Sequence, residues 1–268
     1  MNKNFLSGDD INFFIEIVKS AGDAAFRFQK NDMDIYRKDD RSIVTEADLQ
    51  SQNFLIKQIE SRFSDFNFIC EENFSESAAL DQDRINVIID PIDGTAMFTM
   101  HLPFWCVSVG VFAGAEPAYG FVYSPGCDLL FYTDNNNSFL NGQRLEVDHY
   151  TPIEKETNIF YSSEIKGIKI NFPGKSRNLG STALHACLTT DNRRNRLLAF
   201  IGKSYLWDWA GAIPVVEKAG GKIRYLDGRE IDYGKIAANG FELEDYAVVY
   251  NCSNFEVIKS IFKTNPSL

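Results

Sequence analysis

The sequence predicts a layered α/β fold made of a mainly antiparallel N-terminal half and an alternating C-terminal half. Apolar runs separated by turn residues between positions 104 and 133 indicate an antiparallel meander. From position 160 onward, strand-like and helix-like segments alternate, which is typical of a layered α/β unit. At 268 residues the chain is long enough for a large core, as one domain or as two packed closely. We divide it into residues 1–147 and 148–268.

The N-terminal half is predicted to begin with helices and to continue with strands. Ile11, Phe14, Ile15 and Val18 recur at helical spacing and indicate an amphipathic first helix. The strand-like runs are apolar, and Gly, Pro, Asn or Asp residues bound them, so that Pro91 should help to end its strand. The expected elements are helices over 9–30 and 45–63, strands over 68–70 and 85–89, the meander over 104–133 with turns at 114–117 and 124–128, and a strand over 139–147 that turns at Asn141-Gly142.

The C-terminal half is predicted to form a mixed sheet with helices packed on it. Its longest helix should end at Gly220-Gly221, because glycine commonly terminates helices. The expected elements are a strand over 160–163, a helix over 181–188, a strand over 197–201, a helix over 207–219, strands over 223–225 and 247–250, and a helix over 254–262.

Charge and hydrophobicity exclude several kinds of partner. The formal net charge of −10 argues against a nucleic-acid polymer, because phosphate backbones are bound by clustered Lys and Arg. No run approaches the roughly 18 apolar residues of a membrane span, and the first ten residues are too polar for a signal sequence. A small anionic substrate stays compatible with this acidic chain if metal ions reverse the local field.

The cysteines and histidines indicate a reduced protein without a zinc site. The five cysteines are odd in number, widely spaced and mostly set among apolar neighbours, which favours core thiols in a cytoplasmic protein over disulfides. With no C-x-x-C motif and three histidines, we expect no zinc centre.

The most informative segment is residues 90–95, with the sequence DPIDGT, at the end of a buried strand. Asp90 and Asp93 would suit a hard cation such as Mg²⁺. The backbone N–H groups of Gly94 and Thr95, if they open a helix, would suit an anion such as phosphate. A cation beside a phosphate site is typical of phosphoryl transfer. Alternatively, the aspartates only shape a turn, as Asp commonly does beside Pro and Gly.

Other acidic residues also allow two interpretations. Glu71 and Glu72 follow a strand and are either solvent-exposed or held by cations. Thr45 and Asp48 match a capping box that would close a helix N-terminus. Asp208 lies in the first turn of a helix, where the helix dipole alone explains it.

Taken together, these motifs resemble the inositol monophosphatase family, part of a superfamily of lithium-sensitive, Mg²⁺-dependent phosphatases. They match it in content, order and spacing over about residues 11–249, namely 38–48 (KDDRSIVTEAD), 70–72 (CEE), 90–95 (DPIDGT), 207–211 (WDWAG) and 217–221 (EKAGG). The resemblance implies an αβαβα sandwich with the metal site between the two halves, most of its ligands coming from the first half. It also implies a homodimer.

The resemblance implies a role for each matching residue. The ligands of more than one Mg²⁺ ion would be Glu71, Asp90, Ile92 through its carbonyl, Asp93 and Asp208. Asp48 and Thr95 would orient or deprotonate the attacking water, with Glu72 supporting the ligands from behind. Substrate would be bound by Lys38, Asp93, Gly94 and Thr95, and its leaving group by Gly180, Ser181 and Thr182.

The predicted function is Mg²⁺-dependent hydrolysis of a small phosphate monoester, inositol monophosphate or a similar polyol or sugar phosphate. Alternatives in the same superfamily are a 3′(2′),5′-bisphosphate nucleotidase and a histidinol-phosphate phosphatase. Inositol-preferring members carry an acidic residue shortly before the Trp-Asp motif, and residues 200–206 contain none. Arg177 and Lys203 either lie on the surface or contact a second phosphate. A protein that keeps this fold but only regulates a partner is a different hypothesis, and here every ligand position of the family is filled.

Overall fold

The computed structural model of the chain describes residues 4–30, 35–37, 43–72, 74–75, 78–149 and 152–264. Its helices are α1 (Gly8–Gln29), α2 (Glu46–Arg62), α3 (Thr95–Thr99), α4 (Thr182–Leu188), α5 (Asn192–Asn195), α6 (Leu206–Ala210), α7 (Ala212–Lys218), α8 (Tyr233–Ala238) and α9 (Phe255–Ile261). Its strands are β1 (Ile35–Arg37), β2 (Ile43–Thr45), β3 (Asn67–Cys70), β4 (Ile85–Asp93), β5 (Cys106–Ala113), β6 (Glu116–Ser124), β7 (Leu129–Thr133), β8 (Ser138–Leu140), β9 (Gln143–Leu145), β10 (Asn158–Tyr161), β11 (Ile168–Ile170), β12 (Lys175–Arg177), β13 (Leu197–Gly202), β14 (Lys222–Tyr225), β15 (Ala247–Tyr250) and β16 (Phe262–Thr264).

The first sheet has the strand order β3-β4-β5-β6-β7-β8-β9. From β4 to β9 every neighbouring pair is antiparallel, which confirms the predicted meander. At the other edge β3 runs parallel to β4, so the prediction of an antiparallel N-terminal sheet is wrong at this pair. A parallel pair needs a crossover connection, and the segment between Cys70 and Ile85 supplies it.

The second sheet is mixed, as predicted, with the order β12-β10-β13-β15-β14. Strands β12, β10 and β13 are parallel to one another, while β15 is antiparallel to both of its neighbours. Two short antiparallel ladders, β1 with β2 and β11 with β16, lie outside the main sheets.

Helices and sheets alternate in five layers. Successive side chains of β4 point to opposite faces of the first sheet, and helices pack on both faces. Val87 and Ile89 pack with α1 and α2 on one face of the first sheet. Ile88 faces the opposite side, where α4, α6 and α7 fill the space between the two sheets. The far face of the second sheet is covered by α9 through Ile258 and Ile261. The predicted αβαβα sandwich is therefore confirmed.

Strand β4 is longer than predicted, because Pro91 does not end it. The strand continues to Asp93 and stops at Gly94. Its neighbour β3 pairs only as far as Ile89, so the missing N–H group of Pro91 leaves no bond unmade on that side.

The helix predicted over 207–219 is two helices, α6 and α7, which meet at Gly211. Gly211 lies so close to the first sheet that a Cβ there would be 2.6 Å from the hydroxyl oxygen of Ser108. Pro214 lies in the first turn of α7, where a helix tolerates proline. Among the described residues, every helix is too short or too polar to span a bilayer.

Candidate active site

Acidic side chains converge where β3 and β4 end. Because these strands are parallel and Cys70 lies opposite Ile89, the next residues, Glu71 and Asp90, lie side by side at the same end of the strand pair. The N–H group of Glu71 still donates to the carbonyl of Ile89 at 3.1 Å. The side chains of Glu71 and Asp90 are hydrogen-bonded to each other. The parallel pair is thus what brings two distant sequence motifs together.

A bulge in β4 aims its two aspartates at one point. Asp90 is opposite Ser108 and Asp93 is opposite Cys106, so two residues of β4 face one residue of β5 between these pairs. Bulges commonly re-aim side chains next to functional sites. The N–H group of Ile92 donates to Asp90 Oδ1 at 3.0 Å and fixes the turn of the backbone.

Helix α6 brings Asp208 to the same place. Gly110 and Gly120 are opposite each other on β5 and β6. A Cβ on Gly110 would lie 2.5 Å from the carbonyl oxygen of Ala210, and a Cβ on Gly120 would overlap the carbonyl oxygen of Gly211. Only glycine at both positions lets the junction of α6 and α7 lie this close to the sheet. The N–H group of Tyr205 then donates to Asp208 Oδ2 at 2.9 Å.

The three aspartates form a compact oxygen cluster. Asp90, Asp93 and Asp208 each offer a carboxylate oxygen, and these oxygens lie within 4.8 Å of one another. Asp90 and Asp93 are buried and Asp208 is partly exposed. Carboxylate oxygens at this spacing suit a hard divalent cation such as Mg²⁺, Mn²⁺ or Ca²⁺.

The electrostatics of the cluster point the same way. Burial raises the pKa of Asp90 well above its usual value, and the charges of Glu71, Asp93 and Asp208 raise it further. Burial and the charge of Asp208 raise the pKa of Asp93 to about 7, against hydrogen bonds that lower it. Burial also raises the pKa of Asp208. A bound cation would relieve this repulsion, so the residues present fit a metal.

The predicted leaving-group segment holds Asp93 through three donors. The hydroxyl of Ser181 donates to Asp93 Oδ2 at 2.5 Å, and the N–H group of Ala183 donates to the same oxygen at 2.6 Å. The N–H group of Thr182 donates to Oδ1 at 3.1 Å. The thiol of Cys106 lies 3.7 Å from Oδ2. The structure thereby brings Ser181 and Thr182 to the aspartate cluster.

Gly94 and Thr95 open a helix, as expected from the sequence. Gly94 has a φ of 98°, in the left-handed region that favours glycine, and it caps α3. The hydroxyl of Thr95 donates to the carbonyl of Ile92 at 3.1 Å. Ile92 and Thr95, which both have predicted roles, are therefore in direct contact, and Asp93 follows Ile92 in the chain.

Asp48 and Glu72 are buried on the side of β4 covered by α2. Asp48 lies in the first turn of α2, which packs on β4. The backbone of Glu72 is held in both directions by the amide of Gln52, at 3.0 Å and 2.7 Å. Lys38 and the side chain of Thr45 lie outside the described residues, as does the capping box that involves Thr45.

The basic residues suggested for a second phosphate have other partners. Lys203 donates to the carbonyl of Glu244 at 3.2 Å and lies 3.8 Å from a carboxylate oxygen of Glu242. Arg177 donates to the side chain of Asn158 at 3.1 Å. The positions of both side chains are therefore explained by contacts within the protein.

Sequence reasoning missed three residues near the predicted ones: Gln52, which bonds the backbone of Glu72, Cys106, whose thiol lies near Asp93, and His185, which bonds the backbone of Leu179. Gln52 could have been found, because it is four residues after Asp48 and so lies on the same face of α2. Cys106 and His185 stand in no recognisable motif: Cys106 meets Asp93 across two neighbouring strands, and His185 accepts from Leu179, which lies six residues earlier and outside its helix.

The chain resembles proteins of one phosphatase family over most of its length. The profile of the inositol monophosphatase family matches residues 9–250. Inositol monophosphatase 3 of Solanum lycopersicum is 30% identical over 249 residues, which cover 86% of this chain and 92% of that protein. The fructose-1,6-bisphosphatase/inositol-1-monophosphatase of Thermotoga maritima is 29% identical over 236 residues, covering 82% of this chain and 86% of that one.

Solved structures show the same fold. The Thermotoga maritima IMPase superimposes with a TM-score of 0.77 at 24% identity, covering 94% of this chain and 96% of that one. An IMPase/NADP phosphatase in complex with NADP and Ca²⁺ superimposes with a TM-score of 0.79 at 19% identity, covering 96% and 97%.

Proposed function

Because the chain belongs to the inositol monophosphatase family, we propose that it is a Mg²⁺-dependent phosphomonoesterase acting on inositol monophosphate or a similar polyol or sugar phosphate. The observation that carries this proposal is the cluster of Asp90, Asp93 and Asp208, whose oxygens lie within 4.8 Å of one another. Glu71 extends this cluster, because its side chain is hydrogen-bonded to that of Asp90. With Asp48, Glu72 and the hydroxyl of Thr95, these residues make up the set that the family resemblance implies for metal binding and catalysis.

The mechanism assigns a task to each group of residues. Glu71, Asp90, Asp93, Asp208 and the carbonyl of Ile92 would hold the ions. When bound, Mg²⁺ would neutralise charge on the phosphoryl group and lower the pKa of a bound water.

Other residues would act on the water and the phosphate. Asp48 and the hydroxyl of Thr95 would orient the attacking water, and the carboxylate of Asp48 would take up its proton. The N–H groups of Gly94 and Thr95, at the start of α3, would donate to phosphate oxygens. Glu72, fixed by Gln52, would support the ligands from behind.

A polyol or sugar leaving group agrees best with the observed contacts. Lys203 and Arg177, the two cations suggested for a second phosphate, both bond to protein groups in the part of the chain that the structure describes. The superfamily alternatives still belong in any assay. A neighbour of the same fold was solved with inositol monophosphate and with 2′-AMP, and a relative carries fructose-1,6-bisphosphatase in its name.

A substrate panel with Mg²⁺ tests the proposal. We expect phosphate release from an inositol or sugar phosphate, and inhibition by millimolar Li⁺. Asp90→Asn should lower kcat by at least about a thousand-fold, because it removes several kcal/mol of metal-based stabilisation. In EDTA the variant should be about as stable as the parent, since the amide has the shape of Asp90 and, like the protonated carboxyl, carries no charge into this buried position.

Two outcomes would contradict the proposal. Unchanged turnover of Asp90→Asn would exclude the metal mechanism. No phosphate release from inositol, sugar, nucleotide, bisphosphate and histidinol phosphates would favour a regulatory binding protein on this fold.

We also propose a cytoplasmic homodimer. The cysteines at 70, 106, 127, 187 and 252 are free thiols, which suits a reducing compartment. Dimerisation is carried over from the family resemblance, and light scattering on the purified protein tests it.

A further inference from the structure

His185 is a fully buried histidine that the proposed mechanism does not use. It lies in α4, with 1% of its surface exposed. Its ring packs against those of Phe160 and Phe200, with the ring centroids 4.9 Å away in both cases. An apolar side chain would fill this space without any polar atom to satisfy.

The ring makes one hydrogen bond, and that bond fixes its protonation. Nε2 accepts the N–H group of Leu179 at 2.7 Å. A nitrogen that accepts carries no proton, so the neutral ring is protonated on Nδ1. Nδ1 is buried and has no hydrogen-bond partner among the residues that the structure describes. Burial lowers the pKa of His185 to about 3, so the ring stays neutral near pH 7.

The bond to Leu179 holds the turn that leads to Asp93. The next N–H group, of Gly180, donates to Asn178 Oδ1 at 2.6 Å. Gly180 has a φ of 95°, and Met97 occupies the space where a Cβ would lie. Immediately afterwards, Ser181 and Ala183 donate to Asp93 Oδ2. The imidazole therefore fixes the chain two residues before the first donor to Asp93.

We propose that His185 is a positioning residue for the metal site. Its Nε2 holds the turn over residues 178–181 against α4, and this turn sets the donors that orient the carboxylate of Asp93. Loss of the acceptor would let the turn move and would weaken cation binding at the cluster. The inference rests on the proposed function insofar as it takes Asp93 as a metal ligand.

Two substitutions separate the acceptor from the volume of the ring. His185→Leu keeps an apolar side chain and removes the acceptor. His185→Gln places an amide oxygen near the position of Nε2. We expect His185→Leu to raise the Mg²⁺ dissociation constant by several-fold, up to about 10-fold, because His185 acts through the turn and a direct partner of a metal ligand is typically worth about 10- to 100-fold. His185→Gln should recover most of this loss, and kcat at saturating Mg²⁺ should change less than the Mg²⁺ affinity.

Calorimetric titration of the full chain with MgCl₂ measures the affinity without any substrate. Val248→Ala, in the core on the far side of the second sheet, is the control for a general loss of stability. The proposal is overturned if His185→Leu lowers Tm but binds Mg²⁺ as the parent does. It is equally overturned if Val248→Ala, at a similar loss of Tm, weakens Mg²⁺ binding as much.

NMR of the parent protein keeps the proposal testable if His185→Leu does not fold. The ¹⁵N shifts of the ring should show a neutral imidazole with its proton on Nδ1. A proton on Nε2 would contradict the bond to Leu179 and the proposal with it. Mg²⁺ binding that follows these expectations, without phosphate release from any substrate, would sink the proposed function and leave the role of His185 standing. A parent chain that binds no Mg²⁺ would overturn both.

Discussion

Asp93 joins the first sheet to the middle layer of helices through its carboxylate. The residue ends β4, while its hydrogen-bond donors, among them Ser181 and Ala183, lie at the start of α4. Burial and the nearby charge of Asp208 favour the protonated form, whereas the donors favour the carboxylate. A metal ligand has to be deprotonated, so each donor lowers the cost of forming the site.

Ser181→Ala should therefore weaken both the site and the fold. The change removes the hydroxyl that donates to Asp93 at 2.5 Å and that also caps α4 by accepting the N–H group of Leu184 at 3.1 Å. We expect a loss of about 1–2 kcal/mol in the free energy of unfolding and roughly 10-fold weaker Mg²⁺ binding. Ser181→Thr keeps the hydroxyl and is the matched control. Urea unfolding and calorimetry measure the effects, and parent-like Mg²⁺ affinity in Ser181→Ala would contradict the expectation.

At this scale the sequence identified the clustered aspartates better than the residues that hold them. Asp90, Asp93 and Asp208 were chosen from motifs, and the structure brings their oxygens together. Gln52 and its partner Glu72 are 20 positions apart, and Ser181 and Asp93 are 88 apart. Such contacts depend on how the sheets and helices pack, which no short motif encodes.

At the scale of elements, two paired glycines decide where α6 lies. Gly110 on β5 is opposite Gly120 on β6, so neither of these neighbouring strands carries a side chain at this position of the first sheet. The junction of α6 and α7 uses that space, and Asp208 reaches the cluster as a result. This also explains why the helix predicted over 207–219 is interrupted at Gly211. The parallel pairing of β3 with β4 was likewise not readable, because local periodicity does not show which strands become neighbours.

Gly120→Ala should disturb the metal site from a distance. Its Cβ would overlap the carbonyl oxygen of Gly211, and backbone cannot move aside as a flexible side chain can. We expect a loss of about 1–3 kcal/mol in the free energy of unfolding, typical of an overpacked core, with weaker Mg²⁺ binding because α6 shifts. Gly8→Ala, where a Cβ would meet nothing within 4 Å, is the control and should change neither. A stable Gly120→Ala protein with parent-like Mg²⁺ affinity would contradict this account of α6.

On the scale of the whole molecule, the fold concentrates negative charge in a chain that is already acidic. The formal net charge is −10, and the buried aspartates of the cluster repel one another at the meeting point of β4, α4 and α6. Folding without metal therefore requires that some of these groups keep a proton. The layered fold and its family were recognisable from motif order. The burial of several mutually repelling carboxylates at one point was not recognisable in this way, because it arises only when the layers pack together.

This burial of repelling carboxylates predicts how stabilisation by Mg²⁺ depends on pH. The pKa of Asp93 is raised from 3.8 to about 7 in the metal-free fold. The folded state thus binds more protons than the unfolded state, so this contribution to stability is complete below about pH 4 and is lost as pH rises through about 7. The slope for one such group is at most about 1.4 kcal/mol per pH unit. A bound Mg²⁺ would take the place of the proton on Asp93, so that this contribution would no longer be lost as pH rises.

His185 acts in the opposite direction, because its pKa is lowered from 6.5 to about 3 and acid favours the unfolded chain. It does so with and without metal, so the difference between the two conditions isolates the carboxylates. We expect the gain in unfolding free energy on adding Mg²⁺, measured by urea unfolding against EDTA, to grow from pH 5 to pH 7.5. In Asp93→Asn, which cannot titrate at this position, the gain should be smaller and flatter. A gain that falls with rising pH in the parent protein would show that no buried carboxylate has to lose a proton for the metal to bind.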